Sequence, residues 1–218
     1  MLRGEELTLT YYYGQSAINA VHNVSIVVEK NQFLGVLGPS GSGKSSLLYL
    51  LSGLKPPTQG HVYFEERCYS EMKESERAAL RRQRFGFVFQ QHFLINYLTV
   101  LENVLVAAPR YDAASVKQAM ALLENLGLGH LVHHFPYQLS GGERQRVAVA
   151  RAMINEPGVI FADEPTALLD HATGRQVMAL LIPYREKGSL IVITHDHEML
   201  TGADRIIHLR DGEIVDET

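Results

Sequence analysis

The chain has 218 residues, 46% of them hydrophobic, so it is long enough to bury a core and is predicted to form a single domain. Its formal net charge of −4 excludes the broad basic surface of many nucleic-acid-binding proteins. A single cysteine, Cys68, excludes an internal disulfide, and no apolar run reaches the roughly 20 residues that span a bilayer. We therefore expect a cytoplasmic chain with no nucleic-acid partner and no membrane span of its own.

The first predicted elements are strands at 5–12, 21–29 and 33–37, and the third is apolar and therefore buried. Before the third strand, Asn31 tolerates the left-handed backbone that a tight turn needs. A helix is predicted over 46–51. A phosphate-binding loop would need this strand-then-helix order.

The stretch between that strand and that helix, Gly38–Ser45, reads GPSGSGKS and matches the P-loop pattern G-x-x-x-x-G-K-[ST]. Its backbone N–H groups point inward, and the helix N-terminus adds a positive dipole end, so together they cradle phosphates. Lys44 is predicted to reach the β- and γ-phosphates and Ser45 to ligate Mg²⁺. The nucleotide-binding residues predicted here are Gly38, Ser40, Gly41, Ser42, Gly43, Lys44, Ser45 and Ser46. The chain is therefore predicted to bind a nucleoside triphosphate.

After the P-loop helix, a short strand at 61–64, a charged helix at 71–84 and an apolar strand at 85–89 are predicted. Residues 91–140 then change to a helical pattern, in which Thr99 is a predicted N-cap. We expect residues 91–140 to form a helical lobe.

The last third of the chain alternates between helices and strands. The predicted elements are a helix at 141–154, a strand at 158–162, a helix at 171–186, a strand at 189–194 and two edge strands near 205–209 and 213–215. A strand, a P-loop, a helix and later β/α alternation imply an α/β fold with a mostly parallel sheet, interrupted by the helical lobe.

The strand at 158–162 leads into two adjacent carboxylates, Asp163 and Glu164. The end of such a strand lies beside the P-loop, where Asp163 can hold Mg²⁺ through its water shell. Adjacent strand residues point in opposite directions, so Glu164 is better placed at the strand end as the base for a water molecule.

A second anion-binding helix end is predicted at Ser140, which caps a helix whose glycine-rich start, Gly141–Gly142, leaves backbone N–H groups open. A basic amphipathic run at 144–152 follows. The P-loop already provides an anion-binding site in each chain. If each chain used both sites for its own nucleotide, the second site would not be needed. A head-to-tail dimer resolves this, with each P-loop facing the partner's Ser140–Gly142 segment.

Together these motifs resemble those of the nucleotide-binding subunits of ATP-binding-cassette (ABC) transporters, over essentially the whole chain. LSGGE at 139–143, followed by RQRVAVARA, is similar to that family's signature motif, which other P-loop families lack. The resemblance implies an ABC ATPase core at 1–90 and 141–218, with an N-terminal antiparallel β part, and an inserted α-helical subdomain at 91–140. It also implies ATP and Mg²⁺ as cofactors.

The resemblance further assigns roles to single residues. Gln90 matches the Q-loop glutamine that senses Mg²⁺ and the attacking water, and Asp163 with Glu164 match the Walker B pair. Asp170 matches the D-loop aspartate that faces the partner subunit, and His195 matches the switch histidine that contacts the γ-phosphate. The implied catalytic residues are Glu164, His195, Gln90 and Lys44. The implied metal ligands are Ser45, Gln90 and Asp163. The implied nucleotide contacts outside the P-loop include Ser140, Gly141, Gly142, Glu143 and Asp170.

An aromatic side chain before the P-loop is expected to stack on adenine, and three consecutive tyrosines compete for this role. Counting back from Val21, as similar transporters space it, favours Tyr11, whereas the pair Tyr13–Gly14 resembles a common variant. Alternation puts Tyr11 and Tyr13 on one strand face, so both stay candidates.

Within the family, 87–91, 98–104 and 162–166 are similar to exporters of the macrolide-efflux and lipoprotein-release type, a pattern shared with haem-efflux, peptide-export and cell-division ATPases. This likeness implies a homodimer that powers an exporter through a separate integral membrane permease, in two copies, at the cytoplasmic face of the membrane. The D-loop departs from the pattern at Ala167–Leu168.

Two other functions of ABC ATPases are alternatives to transport. An ABC ATPase acting in DNA repair or on ribosomes is disfavoured because the interval 91–138 has room only for a small lobe and the chain has one cassette. A mechanotransmission ATPase that moves no solute is not separated from an exporter by sequence.

The apolar stretch 92–98 is unusual for a surface segment and lies just after Gln90, on the hinge between core and lobe. We expect it to form a socket for a short helix of the membrane subunit. The alternative is that Phe93, Leu94 and Leu98 fill the lobe's own core.

Overall fold

The computed structural model describes residues 1–14 and 16–218, and the side chain of Tyr13 lies outside this description. The strands are β1 (Leu2–Tyr13), β2 (Ser16–Val28), β3 (Phe33–Leu37), β4 (Gln59–Phe64), β5 (Arg67–Cys68), β6 (Phe85–Phe89), β7 (Val159–Asp163), β8 (Ser189–Thr194), β9 (Arg205–Arg210) and β10 (Glu213–Glu217). The α-helices are α1 (Lys44–Leu51), α2 (Glu74–Arg84), α3 (Val100–Leu105), α4 (Ala113–Asn125), α5 (Gly141–Met153) and α6 (His171–Leu181). None of the helices in the described ranges is long and apolar enough to cross a membrane.

The central sheet has the order β10-β9-β3-β8-β7-β6, and every pairing except β10 with β9 is parallel. The predicted α/β fold with a mostly parallel sheet is therefore confirmed. The expectation that both C-terminal strands are edge strands is wrong for β9, which lies between β3 and β10. The alternating burial of β9 arises because one face packs on the core, with Ile207 and Leu209 buried.

A second, antiparallel sheet with the order β2-β1-β4-β5 forms the N-terminal part of the molecule, as expected. Its first two strands extend beyond the predicted limits. Their pairing is irregular around Glu6, whose φ of 48° lies in the left-handed region. Asn31, in the turn before β3, has a φ of 59°, which confirms the backbone predicted there.

The central sheet separates two apolar cores because successive side chains of a strand point to opposite faces. On one face, Leu34 and Phe161 pack with α1 and the antiparallel sheet. On the other face, Phe33 and Ile160 pack with α5, α6 and the helical lobe. The strands between these layers are continuous apolar runs, as expected for a sheet covered on both sides.

The helical lobe contains α3, α4 and two short 3₁₀ turns. Thr99 caps α3 as predicted, and the Glu102 carboxylate accepts from the Thr99 backbone N–H at 2.8 Å to complete a capping box. Apolar side chains of the lobe, such as Val104 and Leu123, belong to the same core cluster as Val147 of α5. The lobe is therefore anchored to the central sheet through α5.

The helix predicted over 171–186 ends earlier than expected, at Leu181, and continues as a 3₁₀ turn over Ile182–Glu186. Pro183 explains the change, because proline has no backbone N–H and its ring clashes with the preceding helical turn. The charged helix predicted over 71–84 also differs from the prediction, because it begins only at Glu74.

A buried asparagine fixes the segment that follows β6. Asn103 on α3 accepts from the Ile95 N–H at 2.7 Å and donates to the carbonyl oxygens of Ile95, Leu98 and Thr99 at 3.0–3.1 Å. The side chain thus supplies a partner for the Ile95 N–H and for the Leu98 carbonyl oxygen in this irregular segment.

We expect Asn103→Ala to lower the free energy of unfolding by about 2–3 kcal/mol, because it leaves the part-buried Ile95 N–H and Leu98 carbonyl oxygen without a partner. Urea denaturation of the purified chain measures this difference. Asn125→Ala, an exposed position on α4 of the same lobe, is the matched control and should change stability by less than about 0.5 kcal/mol. Equal effects of the two substitutions would contradict the role given to Asn103.

Candidate active site

The P-loop runs from the end of β3 at Leu37 to the start of α1 at Lys44. Its last glycine, Gly43, has a φ of 99°, and a Cβ there would collide with the carbonyl oxygen of Ala20 on β2. Only glycine satisfies both the backbone angle and this close approach. The antiparallel sheet therefore helps to hold the loop in shape.

The Lys44 side chain is almost fully buried, with 6% exposure, and donates to the carbonyl oxygens of Gly38 and Pro39 at 2.7 and 2.8 Å. Burial lowers the pKa of Lys44, and the charges of Glu164 and Asp163 oppose this shift. The ammonium group is thus held inside its own loop.

Asp163, at the end of β7, is 8% exposed and accepts a hydrogen bond of 2.9 Å from the Ser45 hydroxyl. Burial raises the pKa of Asp163, the negative charge of Glu164 adds to the rise, and Ser45 and Lys44 oppose it. A hydroxyl and a carboxylate side by side are the oxygen ligands that Mg²⁺ prefers. The described residues contain no cluster of three or more His, Cys, Asp or Glu side chains suited to a metal.

Glu164 turns away from Asp163, because its φ of 48° breaks the strand directly after β7. Its backbone N–H donates to Ile193 of β8 at 2.9 Å, which fixes the turn. Both of its carboxylate oxygens lie 3.0 Å from Nδ1 of His195. The structure thus pairs the predicted base with the predicted switch histidine.

These groups surround a cleft of about 600 Å³, a volume typical of small-molecule sites. The lining residues are Ala20, Pro39, Ser40, Gly41, Gly43, Lys44, Ser45, Ser46, Gln90, Glu164, Ala167 and His195. The Ser42 hydroxyl, in the same loop, is buried and has no hydrogen-bond partner among the described residues. An oxygen-rich ligand such as a phosphate would give this hydroxyl a partner.

The segment Ser140–Glu143 is not part of this cleft in the described chain. Ser140 is the N-cap of α5, and its hydroxyl and backbone N–H both donate to the Glu143 carboxylate, at 2.8 and 2.7 Å. These hydrogen bonds hold the pKa of Glu143 below its usual value. The predicted cap is present, and its serine is exposed and is not among the residues that line the cleft.

Asp170 is the N-cap of α6 and accepts from the Thr173 N–H at 3.0 Å. Its side chain is exposed and its pKa is lowered by the hydrogen bonds from Thr173. Leu168, in the departing part of the D-loop, is also exposed. Both residues are therefore available to another chain.

Of the two candidates for adenine stacking, Tyr11 lies beside the P-loop helix. Its hydroxyl is 3.5 Å from the Ser46 hydroxyl, and the Lys55 ammonium lies 4.4 Å from the centre of its ring. The Tyr13 side chain is outside the described residues. Tyr12, between them, is 72% exposed.

Sequence reasoning missed two side chains that connect the site to the lobe. The buried Gln145 amide on α5 donates to the carbonyl oxygens of Pro165 and Phe89, at 2.6 and 3.4 Å. Arg151, near the end of α5, donates to the carbonyl oxygens of His92 and Phe93, both at 2.6 Å. Both positions belong to the run 144–152, where a pattern of charge and polarity gave no sign of these backbone contacts.

The fold and the cleft define a P-loop nucleotide hydrolase, with a phosphate-binding loop between a buried strand and a helix and two carboxylates at the end of a neighbouring strand. The family model described as ABC transporter matches residues 21–167. The chain belongs to the ABC transporter family.

Similar proteins support this membership along the whole chain. An uncharacterized ABC transporter ATP-binding protein of Methanocaldococcus jannaschii, MJ1508, is 46% identical over 99% of this chain and 98% of its own length. The lipoprotein-releasing system ATP-binding protein LolD of Aquifex aeolicus is 44% identical over 89% of this chain and 88% of its own length.

Two solved structures show the same fold, and both are dimers of the MJ0796 cassette, a Methanocaldococcus jannaschii protein. One has a TM-score of 0.93 and 38% identity, covering 100% of this chain and 98% of that one. The other, a post-hydrolysis state bound to ADP and Pi, has a TM-score of 0.92 and 37% identity over the same shares. The chain is therefore an ATP-binding, ATP-hydrolysing ABC cassette with the ABC ATPase fold.

Proposed function

We propose that two copies of this chain hydrolyse ATP at the cytoplasmic face of a membrane and drive export through two copies of an integral permease subunit. The similarity to lipoprotein-releasing ATP-binding proteins supports transport over mechanotransmission without a solute. The observation that carries the catalytic part is the Glu164–His195 pair at the mouth of a phosphate-binding cleft.

In this proposal the P-loop N–H groups and Lys44 neutralise the charge of the β- and γ-phosphates. Ser45, Gln90 and Asp163 would hold Mg²⁺, which supplies Lewis-acid charge stabilisation when bound. Glu164 accepts the proton of the attacking water or orients that water. His195, which starts from a hydrogen bond to Glu164, contacts the γ-phosphate. Tyr11 or Tyr13 stacks on the adenine.

We expect Glu164→Gln to keep ATP binding and to lower turnover by a factor of at least about 10², because the amide cannot act as a base. ATP binding by fluorescence and hydrolysis by phosphate release measure the two effects separately. The variant should also accumulate as a closed dimer with ATP. Glu66→Gln, on an exposed turn, is the control and should hydrolyse ATP normally. Near-normal turnover of Glu164→Gln would remove Glu164 from this role.

The site is proposed to be completed by a second chain. The cleft, within the described residues, contains nothing from Ser140–Glu143, although Ser140 opens a helix N-terminus suited to phosphate. In a head-to-tail dimer, each P-loop would face Ser140, Gly141 and Gly142 of the partner subunit. The exposed Asp170 would lie at the same interface.

Mixed dimers test the two-chain site. A Lys44→Ala chain combined with a Ser140→Arg chain should form one interface with both motifs intact and one with neither. Such dimers should bind one nucleotide per dimer, measured by equilibrium binding on isolated heterodimers carrying two different tags. If they bind no more nucleotide than either parent homodimer, in which every site carries one defective motif, the trans arrangement is wrong.

The docking surface for the permease is proposed at a groove of about 500 Å³ between core and lobe. The groove is apolar and has three arginines among its lining residues. The lining residues are Leu54, Ala78, Arg81, Arg82, Phe85, Gly86, Phe87, Phe89, Phe93, Ala107, Arg151 and Ala152. A short helix with an apolar face and acidic ends would match this surface.

The side chains of the apolar segment 92–98 differ in burial, so they bear differently on the two alternatives, a docking surface for the permease or a contribution to the lobe's own core. Phe93 is 62% exposed and contacts Phe89 edge-on, with ring centres 5.6 Å apart. Leu94 is partly buried and packs against the main core, and Leu98 is also only partly exposed. Phe93 therefore fits the docking hypothesis, whereas Leu94 contributes to the core.

We expect Phe93→Glu to leave the basal ATPase of the isolated subunit within about twofold and to abolish complex formation with the permease, because a carboxylate in an apolar contact must be desolvated. Co-purification with the permease measures binding. Tyr111→Glu, an exposed aromatic position of the lobe outside this groove, should bind normally. Unfolding or loss of ATPase in Phe93→Glu would place the docking surface elsewhere.

A further inference from the structure

A polar cluster outside the cleft joins the first turn of α6 to the turn that carries His195. Nδ1 of His171 lies 3.1 Å from Nε and 2.9 Å from Nη2 of Arg175. Arginine has no acceptor, so Nδ1 must be the accepting nitrogen and the ring proton lies on Nε2. Nε2 lies 3.1 Å from a carboxylate oxygen of Glu198. The His171 ring thus lies between the Arg175 guanidinium and the Glu198 carboxylate, which are themselves 3.8 Å apart.

The turn after β8 is held by its own side chains. The Thr194 hydroxyl accepts from the Asp196 N–H at 3.0 Å, and the Asp196 carboxylate accepts from the Glu198 N–H at 2.9 Å. The other oxygen of Asp196 lies 3.8 Å from Nε2 of His171. His171 therefore touches this turn at Asp196 and at Glu198, on either side of the exposed His197.

His195 itself depends on this turn for its direction. Its side chain is 62% exposed, and its hydrogen bonds in the described chain are those to Glu164. A small cavity of about 160 Å³ between the D-loop and this turn is lined by Glu164, Asp170, His171, His195 and Asp196. A shift at the start of α6 would therefore reach His195 through Asp196 and Glu198.

We propose that His171 is a positioning residue for ATP hydrolysis, which couples the D-loop to the switch histidine through the hydrogen bonds it accepts from Arg175 and through its close contact with the Glu198 carboxylate. This inference rests on the proposed role of His195. Since Asp170 directly precedes His171, a partner chain that contacts Asp170 also shifts the His171 ring. The geometry of His195 then responds to dimer closure.

Steady-state ATPase measurements on the full chain test the proposal. His171→Ala should lower kcat about tenfold, the size expected for one hydrogen bond to a charged group, with KM for ATP within twofold. Thermal stability should be unchanged, since the side chain is 43% exposed. His171→Gln, which keeps a donor and an acceptor, should restore most of kcat. Glu198→Ala, which leaves α6 untouched and removes the group that Nε2 contacts, should lower kcat in the same way.

Two further comparisons separate positioning from general damage. His171→Ala in a His195→Ala background should cause no additional loss, because both changes then remove the same effect. The control His197→Asn, at the neighbouring exposed histidine, should keep normal turnover.

An unchanged kcat in His171→Ala, or an equal loss in the His195→Ala background, overturns the inference. Full turnover in His195→Ala alone would instead remove the proposed role of His195, and the inference with it. The two failures are therefore distinguishable.

Discussion

The cleft contains one buried positive charge and two negative charges close to it. The Lys44 ammonium and the Asp163 carboxylate are both nearly inaccessible to solvent, and Glu164 adds a second negative charge beside them. Burying a charge costs several kcal/mol unless it is paired. Here each group relies on neutral partners, since Lys44 donates to two backbone carbonyls and Asp163 accepts from Ser45. In the proposed site a triphosphate and its cation would give both groups charged partners, so we expect nucleotide binding to stabilise the fold as well.

The parallel register of the central sheet brings these groups together. Leu37 of β3 is level with Thr194 of β8, and Asp163 of β7 is level with Ile193 of β8. The three strands therefore end at one edge, where the P-loop, Glu164 and His195 follow directly. Side chains from distant parts of the sequence meet there without any long loop, as is usual at the carboxyl edge of an α/β sheet.

Most of this arrangement could be predicted from the sequence because its signals are local. The P-loop pattern, the caps at Thr99 and Ser140 and the paired carboxylates each occupy a few consecutive residues. The resemblance to a known family supplied the roles of Gln90 and His195, which no local pattern defines. The predicted helix extends to 186, whereas the α-helix ends at Leu181, shortly before Pro183.

What the sequence could not supply are contacts made across the fold. Gln145 bonds to one backbone carbonyl more than fifty residues away in the sequence, and Arg151 bonds to two. Their own helix nevertheless has an ordinary amphipathic pattern. The position of β9 inside the sheet likewise depends on its pairing with β3, which a short alternating strand does not reveal. Such features depend on tertiary geometry rather than on local composition.

Helix α5 touches both ends of the proposed transmission path. Ser140 caps its start, and Arg151, in its last turn, donates to the backbone carbonyl oxygen of Phe93, which lines the groove. At 1.5 Å per residue its 13 residues span roughly 20 Å. If this rod moves as one body, occupation of the groove and occupation of the nucleotide site share a coupling free energy. Thermodynamic reciprocity then applies to the two binding sites. If a bound permease changes the affinity for ATP by some factor, bound ATP changes the affinity for the permease by the same factor.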